Sequence, residues 1–310
     1  MPPAPRPYRT GDTERMIALA HADVPASIHV LDLPYSLASW ALDEPRNAAL
    51  WEDEHGHLVA WAVLQTPFWA IDYAYLPSAA HLHPTIVEWA WSRAREAADG
   101  PWGRPCWFIN VRADQTPRLH TIEAAGFARL DTVAENAWSK VWMRRPGATP
   151  VASAPLPAGF SLRPLAGAAE VEAYVALHRE VFQSMSMTAD WRHRTLLRSE
   201  YAPELDLVVE APDGRLAAFC IAWFSRHGFD GQPAGQIEPL GVHPDFRRQG
   251  LGRAVLLAAV RRLHERGAET IYVETDKERD AAMQLYHAGG FAVLHTILVC
   301  RKDLPSTTGE

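Results

Sequence analysis

The chain has 310 residues, a length that suits two domains of about 150 residues each. Of these residues 48% are hydrophobic, which is enough for two buried cores. Its net charge of −7 and the absence of a long basic run argue against bulk nucleic-acid binding, which needs a positive surface. No apolar stretch reaches the roughly 18 to 20 residues that span a bilayer, and no secretory signal is present, so we expect a cytoplasmic protein with no membrane insertion.

The first half of the chain predicts a strand, helices and then a hairpin. The hairpin is the stretch "ALWEDEHGHLVAWAVL", in which two apolar runs flank a tight turn at Gly56. Ten of the twelve tryptophans lie in this half, a surplus typical of a buried core. An aromatic face that contacts a bound molecule is the alternative role of these tryptophans.

Residues 146–159, "PGATPVASAPLPAG", have the proline-rich composition of a semi-rigid linker. Motifs on its two sides repeat in the same order. The first hairpin is repeated by "DLVVEAPDGRLAAFCIAW", with its turn at Gly214, and "HTIEAAGF", ending at Phe127, by "QLYHAGGF", ending at Phe291. The sequence therefore predicts a duplicated domain, with one copy in residues 1–145 and the other in residues 160–310.

The second half continues with alternating strands and helices. "PAGQIEPLGVHP" and "TIYVETD" read as strands, and "LGRAVLLAAVRRLHERG" and "RDAAMQLYHAGG" read as helices that end at glycine. This mixture predicts the α+β class. Three scattered cysteines form neither a disulfide framework nor a metal-binding spacing, so no metal is expected.

An arginine pair and two glycines open the longer of these helices. The first N–H groups of a helix lack internal partners and lie at its positive end, where they can bind an anion. Gly250 and Gly252 allow the backbone to approach a phosphate, and Arg247 and Arg248 add donors. A Walker loop and a Rossmann fingerprint both fit poorly, because their further Gly, Lys and Ser/Thr positions are missing.

The hexamer "RRQGLG" resembles the Q/R-x-x-G-x-G/A signature of the GNAT N-acetyltransferase superfamily, and "AAMQLYHAGGF" resembles its second signature. The resemblance covers residues 160–303 and implies two tandem GNAT-like domains, each a mixed, mostly antiparallel sheet flanked by helices. It also implies acetyl-CoA as the bound anion. The residues that the resemblance implies would bind acetyl-CoA are Leu240, Gly241, Val242, Arg247, Arg248, Gln249, Gly250, Leu251, Gly252 and Arg253. The chain has Arg279 where many members have Asn, so one contact to the pantetheine arm is in doubt.

The resemblance places Tyr286 at the position of the family's usual acid, which protonates the departing thiolate. Glu238 is the candidate base, because it lies on the strand before the loop, on the face shared with Gln236 and Leu240. Apolar neighbours would raise the pKa of its carboxyl, although a strand-end salt bridge is the alternative role. His243 is a weaker candidate base.

The first half lacks these features. It has no glycine between Ile71 and Ala98, and Ile122 takes the tyrosine position. We therefore expect a degenerate first domain that has lost its site. A degenerate domain followed by a working one is similar to the order in tandem members such as mycothiol synthase. The expected activity is acetyl transfer to a primary amine, of a small molecule, by direct attack in a ternary complex. A peptide acetyltransferase and a non-catalytic acetyl-CoA sensor are the alternatives.

Overall fold

The computed structural model describes residues 4–23, 29–132, 137–229 and 231–305. Its α-helices are α1 Asp12–Ala22, α2 Leu33–Leu37, α3 His83–Glu96, α4 Thr116–Ala124, α5 Val171–Phe182, α6 Ala189–Leu196, α7 Leu251–Glu265 and α8 Asp280–Ala288. Its strands are β1 Arg6–Pro7, β2 Ala48–Glu52, β3 Leu58–Gln65, β4 Ala70–Tyr75, β5 Cys106–Arg112, β6 Ala128–Arg129, β7 Ser139–Pro146, β8 Ser161–Pro164, β9 Asp206–Glu210, β10 Leu216–Ser225, β11 Ala234–Val242, β12 Thr270–Asp276 and β13 Ala292–Asp303. No helix of these described residues is long and apolar enough to cross a membrane.

The first compact unit contains residues 1–30, 39–140 and 295–310. Its strands follow the order β1-β2-β3-β4-β5-β13, and β4 and β5 are the parallel pair. The predicted hairpin is confirmed as β2 and β3, with Gly56 at a φ of 77° in the turn. Trp51, Trp61 and Trp107 are buried, which supports the assignment of these tryptophans to the core.

The second compact unit contains residues 31–38 and 141–294. Its strands follow the order β7-β12-β11-β10-β9-β8, in which β11 and β12 are parallel and the neighbours from β11 to β8 are antiparallel. The two strands and two helices predicted for the second half are confirmed as β11, α7, β12 and α8. Helix α7 packs Leu251, Val255 and Ala259 against this sheet, as their spacing predicts.

The compact units divide the chain differently from the predicted boundaries. Residues 31–38 from the first half belong to the second unit, and residues 295–310 from the end of the chain belong to the first. There β13 pairs with β5, from Ile297 opposite Arg112 to Asp303 opposite Cys106. Local patterns report which face of a strand is buried but do not name its partner, so this exchange had no signature in the sequence.

The predicted linker lies within the second unit. Val151 and Leu156 pack against its core, and the buried side chain of Arg145 donates hydrogen bonds to the carbonyls of Thr149 and Pro150 at 2.7 and 3.1 Å. The prolines interrupt regular structure there, but the segment is attached to the unit's surface along part of its length.

Candidate active site

A bulge in β11 shapes the strand that carries the candidate base. Cys220 of β10 lies opposite Leu240, whereas Ala222 lies opposite Ile237, so β11 has one more residue than β10 over this stretch. The extra residue falls at Glu238 and Pro239, which are joined by a cis peptide bond. Bulges of this kind redirect side chains. The strict alternation that would place Glu238 on the face of Gln236 therefore does not hold along β11, where Gln236 is buried and Glu238 is half-buried.

Beside this bulge the two parallel strands separate. The register of β11 and β12 ends at Ile237 opposite Val273, although β11 continues to Val242 and β12 to Asp276. Within this described stretch, Leu240, Gly241 and Val242 have no register partner on β12. Leu240 and Val242, like Glu238, are half-buried. An extended amide chain could pair with this edge as a strand would.

The loop after β11 fits an anion at the start of α7. Arg248 has a φ of 63° and Gly250 a φ of 82°, and a Cβ added to Gly250 would meet nothing within 4 Å. Arg247, Arg248, Gln249, Gly250 and Arg253 are exposed. The first hydrogen bond of α7 joins the Ala254 N–H to the Gly250 carbonyl, so the preceding N–H groups face outward, as pyrophosphate binding requires.

Two other glycines are required by packing. A Cβ on Gly241 would lie 2.5 Å from Cγ1 of Val181 and 2.8 Å from Cζ of Phe219, so a larger residue would displace β11 from α5. A Cβ on Gly252 would lie 3.2 Å from Cγ2 of Val242. Both glycines thus let the backbone lie close to its neighbours, Leu251 beside Gly252 is buried, and the residues fit the group that the first signature implies.

Tyr286 is buried near the end of α8, with its ring 5.9 Å from that of Phe291. Burial raises the pKa of its phenol, and the nearby charge of Glu238 raises it further. The phenol therefore carries its proton at neutral pH. The structure thus brings Glu238 and Tyr286 into one neighbourhood. The exposed Arg279 lies 3.3 Å from Asp276 in an ion pair.

His243 caps the short 3-10 helix Pro244–Phe246, where its Nδ1 accepts a hydrogen bond from the Asp245 N–H at 3.1 Å. This is the role of a turn residue. Between α5 and α6, Met185 is exposed, whereas Met187 is fully buried.

Sequence reasoning missed Trp223. Its Nε1 donates a hydrogen bond to the Glu238 carbonyl at 2.7 Å, and so satisfies a backbone group inside the bulge. A signal was present, because Trp223 is one of two tryptophans in the second half and falls on a strand next to the loop. An indole in a strand is nevertheless an ordinary core residue, and a bulge has no fixed sequence pattern.

The matching place in the first unit is occupied by side chains. The register between β4 and β5 is the single pair Ala70 opposite Phe108, and the residues of β4 beyond it carry Tyr73 and Tyr75. The Arg118 guanidinium lies 4.0 Å from the Tyr75 ring and forms an ion pair with Asp23 at 2.9 Å. Helix α3 begins at His83 after a 3-10 helix instead of a glycine loop.

Comparison with known proteins gives matches that include the second unit. The model of the acetyltransferase (GNAT) family matches residues 171–291, which lie inside the second unit. A mycothiol acetyltransferase from Thermobispora bispora is 34% identical over 175 residues, which are 54% of this chain and 57% of that protein. The chain spans about half the length of the curated relatives that it first matches: 57%, 43% and 50%.

Solved structures share the whole fold. A GCN5-related N-acetyltransferase from Sphaerobacter thermophilus has a TM-score of 0.63 at 20% identity, over 96% of this chain and 95% of that one. A tandem GNAT protein from the clavulanic acid biosynthesis pathway also has a TM-score of 0.63, at 15% identity, over 98% of each chain. The chain shares its fold with a tandem GNAT protein, and its residues 171–291 match the model of the acetyltransferase (GNAT) family.

Proposed function

We propose that the second unit transfers an acetyl group from acetyl-CoA to the primary amine of a small molecule, by direct attack in a ternary complex. The observation that carries the proposal is the separation of β11 from β12 after Ile237, ahead of the exposed residues 247–250 before α7. The name of the relatives, mycothiol acetyltransferase, favours a small-molecule acceptor.

In this proposal the N–H groups from Arg248 to Arg253 and the two arginine side chains hold the pyrophosphate. The backbone of Leu240, Gly241 and Val242 pairs with the amide groups of the pantetheine arm. Acetyl-CoA supplies the acetyl group as a thioester. The fixed backbone donors act without rearranging, and that preorganisation is what makes such a site effective.

Glu238 takes a proton from the ammonium of the acceptor, and the resulting amine attacks the thioester carbonyl. The carbon–sulfur bond breaks as Tyr286 donates its phenol proton to the departing sulfur, and the Tyr286 phenolate then takes the second proton from the new amide nitrogen. Both residues touch the reacting atoms in this scheme and are therefore the catalytic residues. The proton stays on Tyr286 at neutral pH because burial and the charge of Glu238 raise the pKa of its phenol. Proton transfer by a positioned group contributes about 10²- to 10⁴-fold to a rate.

The test is release of coenzyme A from acetyl-CoA in the presence of a panel of small primary amines, with mass spectrometry of the product. Peptide arrays run in parallel separate small-molecule from peptide acetylation. No release with any acceptor, together with tight acetyl-CoA binding, would identify a sensor and refute the proposal.

Glu238→Gln and Tyr286→Phe should each lower the turnover number about 10²-fold or more, with acetyl-CoA affinity nearly unchanged. Matched controls are Glu265→Gln, on the exposed last turn of α7, and Tyr272→Phe, at a buried tyrosine of β12. Turnover that is equal in Tyr286→Phe and Tyr272→Phe would remove Tyr286 from the mechanism.

A further inference from the structure

Tyr35 comes from the first half of the chain but lies in the second unit, on the short helix α2. It is 3% exposed. Its hydroxyl lies 3.3 Å from Nε2 of His178 on α5, and its backbone carbonyl accepts a hydrogen bond from Nε1 of Trp191 on α6 at 2.8 Å. The Tyr35 and Trp191 rings also pack together, with centroids 5.0 Å apart. Tyr35 is thus held by polar contacts at its backbone and at its side-chain end.

The helices that hold Tyr35 are themselves fixed to the sheet. Arg192, next to Trp191 on α6, forms a fully buried ion pair with Asp206 of β9. The Tyr201 hydroxyl donates a second hydrogen bond to Asp206 at 2.7 Å. The Arg192 guanidinium also lies 3.9 Å from the Tyr174 ring of α5. Buried networks of this kind specify one arrangement, so α5 and α6 form a rigid support.

From this support Tyr35 reaches the strand of the candidate base through one tryptophan. The rings of Tyr35 and Trp223 are 6.5 Å apart, within the range of aromatic packing. The same indole donates to the Glu238 carbonyl at 2.7 Å. After burial and the neighbouring Tyr174, the charge of Glu238 is among the causes that raise the pKa of the Tyr35 phenol, so the carboxylate lies near this cluster. The contacts run from Tyr35 to Trp223 and on to the bulge.

We propose that Tyr35 is a positioning residue of the second unit, whose ring holds the Trp223 indole against the bulged backbone and so fixes where the Glu238 carboxylate points. This inference rests on the proposed function and adds that the first half of the chain supports the working site directly. A bulge has an extra residue and no complete ladder to fix it, so its geometry depends on such side-chain contacts. A shift of about 1 Å in a reacting group costs about 10²-fold in rate.

The experiment compares Tyr35→Leu, which removes the aromatic ring, with Tyr35→Phe, which restores it. Tyr73→Leu is the matched control, because Tyr73 is a tyrosine of the first unit whose hydroxyl also lies close to a histidine, 2.9 Å from Nε2 of His83. The full-length chain is used throughout. The readouts are acetyl-CoA binding by calorimetry, steady-state kinetics with the best amine of the panel, and the indole N–H signal of Trp223, assigned with Trp223→Phe.

We expect Tyr35→Leu to lower the turnover number about tenfold to a hundredfold while acetyl-CoA affinity stays within about twofold, and to shift the Trp223 indole signal. Tyr35→Phe should restore most of the rate, and Tyr73→Leu should change neither readout. If Tyr35→Leu does not fold, Trp223→Phe provides the same test, because it removes the indole donor and should lower turnover in the same way.

An unshifted Trp223 signal in Tyr35→Leu, or turnover equal to that of Tyr73→Leu, would overturn the inference. Failure of the proposed function is seen separately, on the wild type alone, as absence of coenzyme A release with every amine. In that case the indole signal still reports whether Tyr35 holds Trp223, and the catalytic role drawn from it is refuted.

Discussion

Replacement of Arg145 should show how much one buried guanidinium contributes to the second unit. Arg145 is 1% exposed and lies near the end of strand β7, next to the linker. Its Nε donates to the Gly289 carbonyl at 2.9 Å, its Nη2 to the carbonyls of Thr149 and Pro150, and its Nη1 to that of Pro146 at 3.2 Å. Arg145→Met keeps most of the apolar stem and removes every donor.

The expected loss can be worked out carbonyl by carbonyl. Gly289 is buried, and an unpaired buried carbonyl costs about 1 to 3 kcal/mol. Thr149 is half-buried and Pro146 and Pro150 are exposed, so water can replace the lost donors at these three carbonyls, and each net hydrogen bond contributes about 1 kcal/mol or less. Relief from burying the charge offsets part of the total. We expect the free energy of unfolding to fall by about 2 to 4 kcal/mol, since such terms are not additive.

Urea unfolding monitored by tryptophan fluorescence measures this loss. With a slope of about 3 kcal/mol per molar urea, the midpoint should fall by about 1 M. The control is Arg144→Met at the neighbouring exposed arginine of the same strand, which should leave the midpoint nearly unchanged. Equal midpoints for the two variants would refute the reasoning, because they would mean that the Gly289 carbonyl does not depend on Arg145.

Three further outcomes are expected. Gly250→Asp should abolish acetyl-CoA binding in calorimetry, because it adds a negative charge and a strained side chain at φ 82°. The wild type should bind one equivalent of acetyl-CoA, and two equal sites would contradict the prediction of a degenerate first domain. Residues 160–310 expressed alone should aggregate or be inactive, because they lack residues 31–38 and 141–159 of the second unit, whereas a monomeric, fully active fragment would contradict this. Burial, and then the charges of Arg192 and Arg179, lower the pKa of His178 to about 3, so the unfolded chain binds its proton first as the pH falls below about 6.5. As the pH is lowered from about 6.5 to about 3, this one group should therefore lower the free energy of unfolding by about 1.4 kcal/mol per pH unit. His178→Phe should remove this dependence in urea titrations at pH 7, 6 and 5.

Much of the second unit could be predicted from the sequence because its signals are local. The glycines at 250 and 252 and the apolar spacing after them predict the start and the buried face of α7, and glycine at 289 predicts the end of α8. The hairpins could be found because alternation and a turn glycine occur together. Tyr286 was proposed from the second family signature and Glu238 from its position on the strand before the loop, and the charge of Glu238 contributes to the raised pKa of the Tyr286 phenol.

The support around the base could not be predicted. Tyr35 and Trp223 are far apart in the chain, and their contact depends on residues 31–38 belonging to the second unit. The bulge at Glu238 depends on how β11 pairs with β10, which is a property of two strands together. Periodicity within one segment carries no information about either, so these features needed coordinates.

The exchange of chain ends between the compact units sets the order in which they can be finished on the ribosome. β5 of the first unit pairs with residues 297–303, which are synthesised after the whole of the second unit. A domain that begins earlier in a chain usually folds while later residues are still being made, but here the first unit keeps a strand edge open until these residues have emerged. A nonsense mutation that removes β13 would thus damage the unit that begins the sequence, although it leaves the signature residues of the second in place.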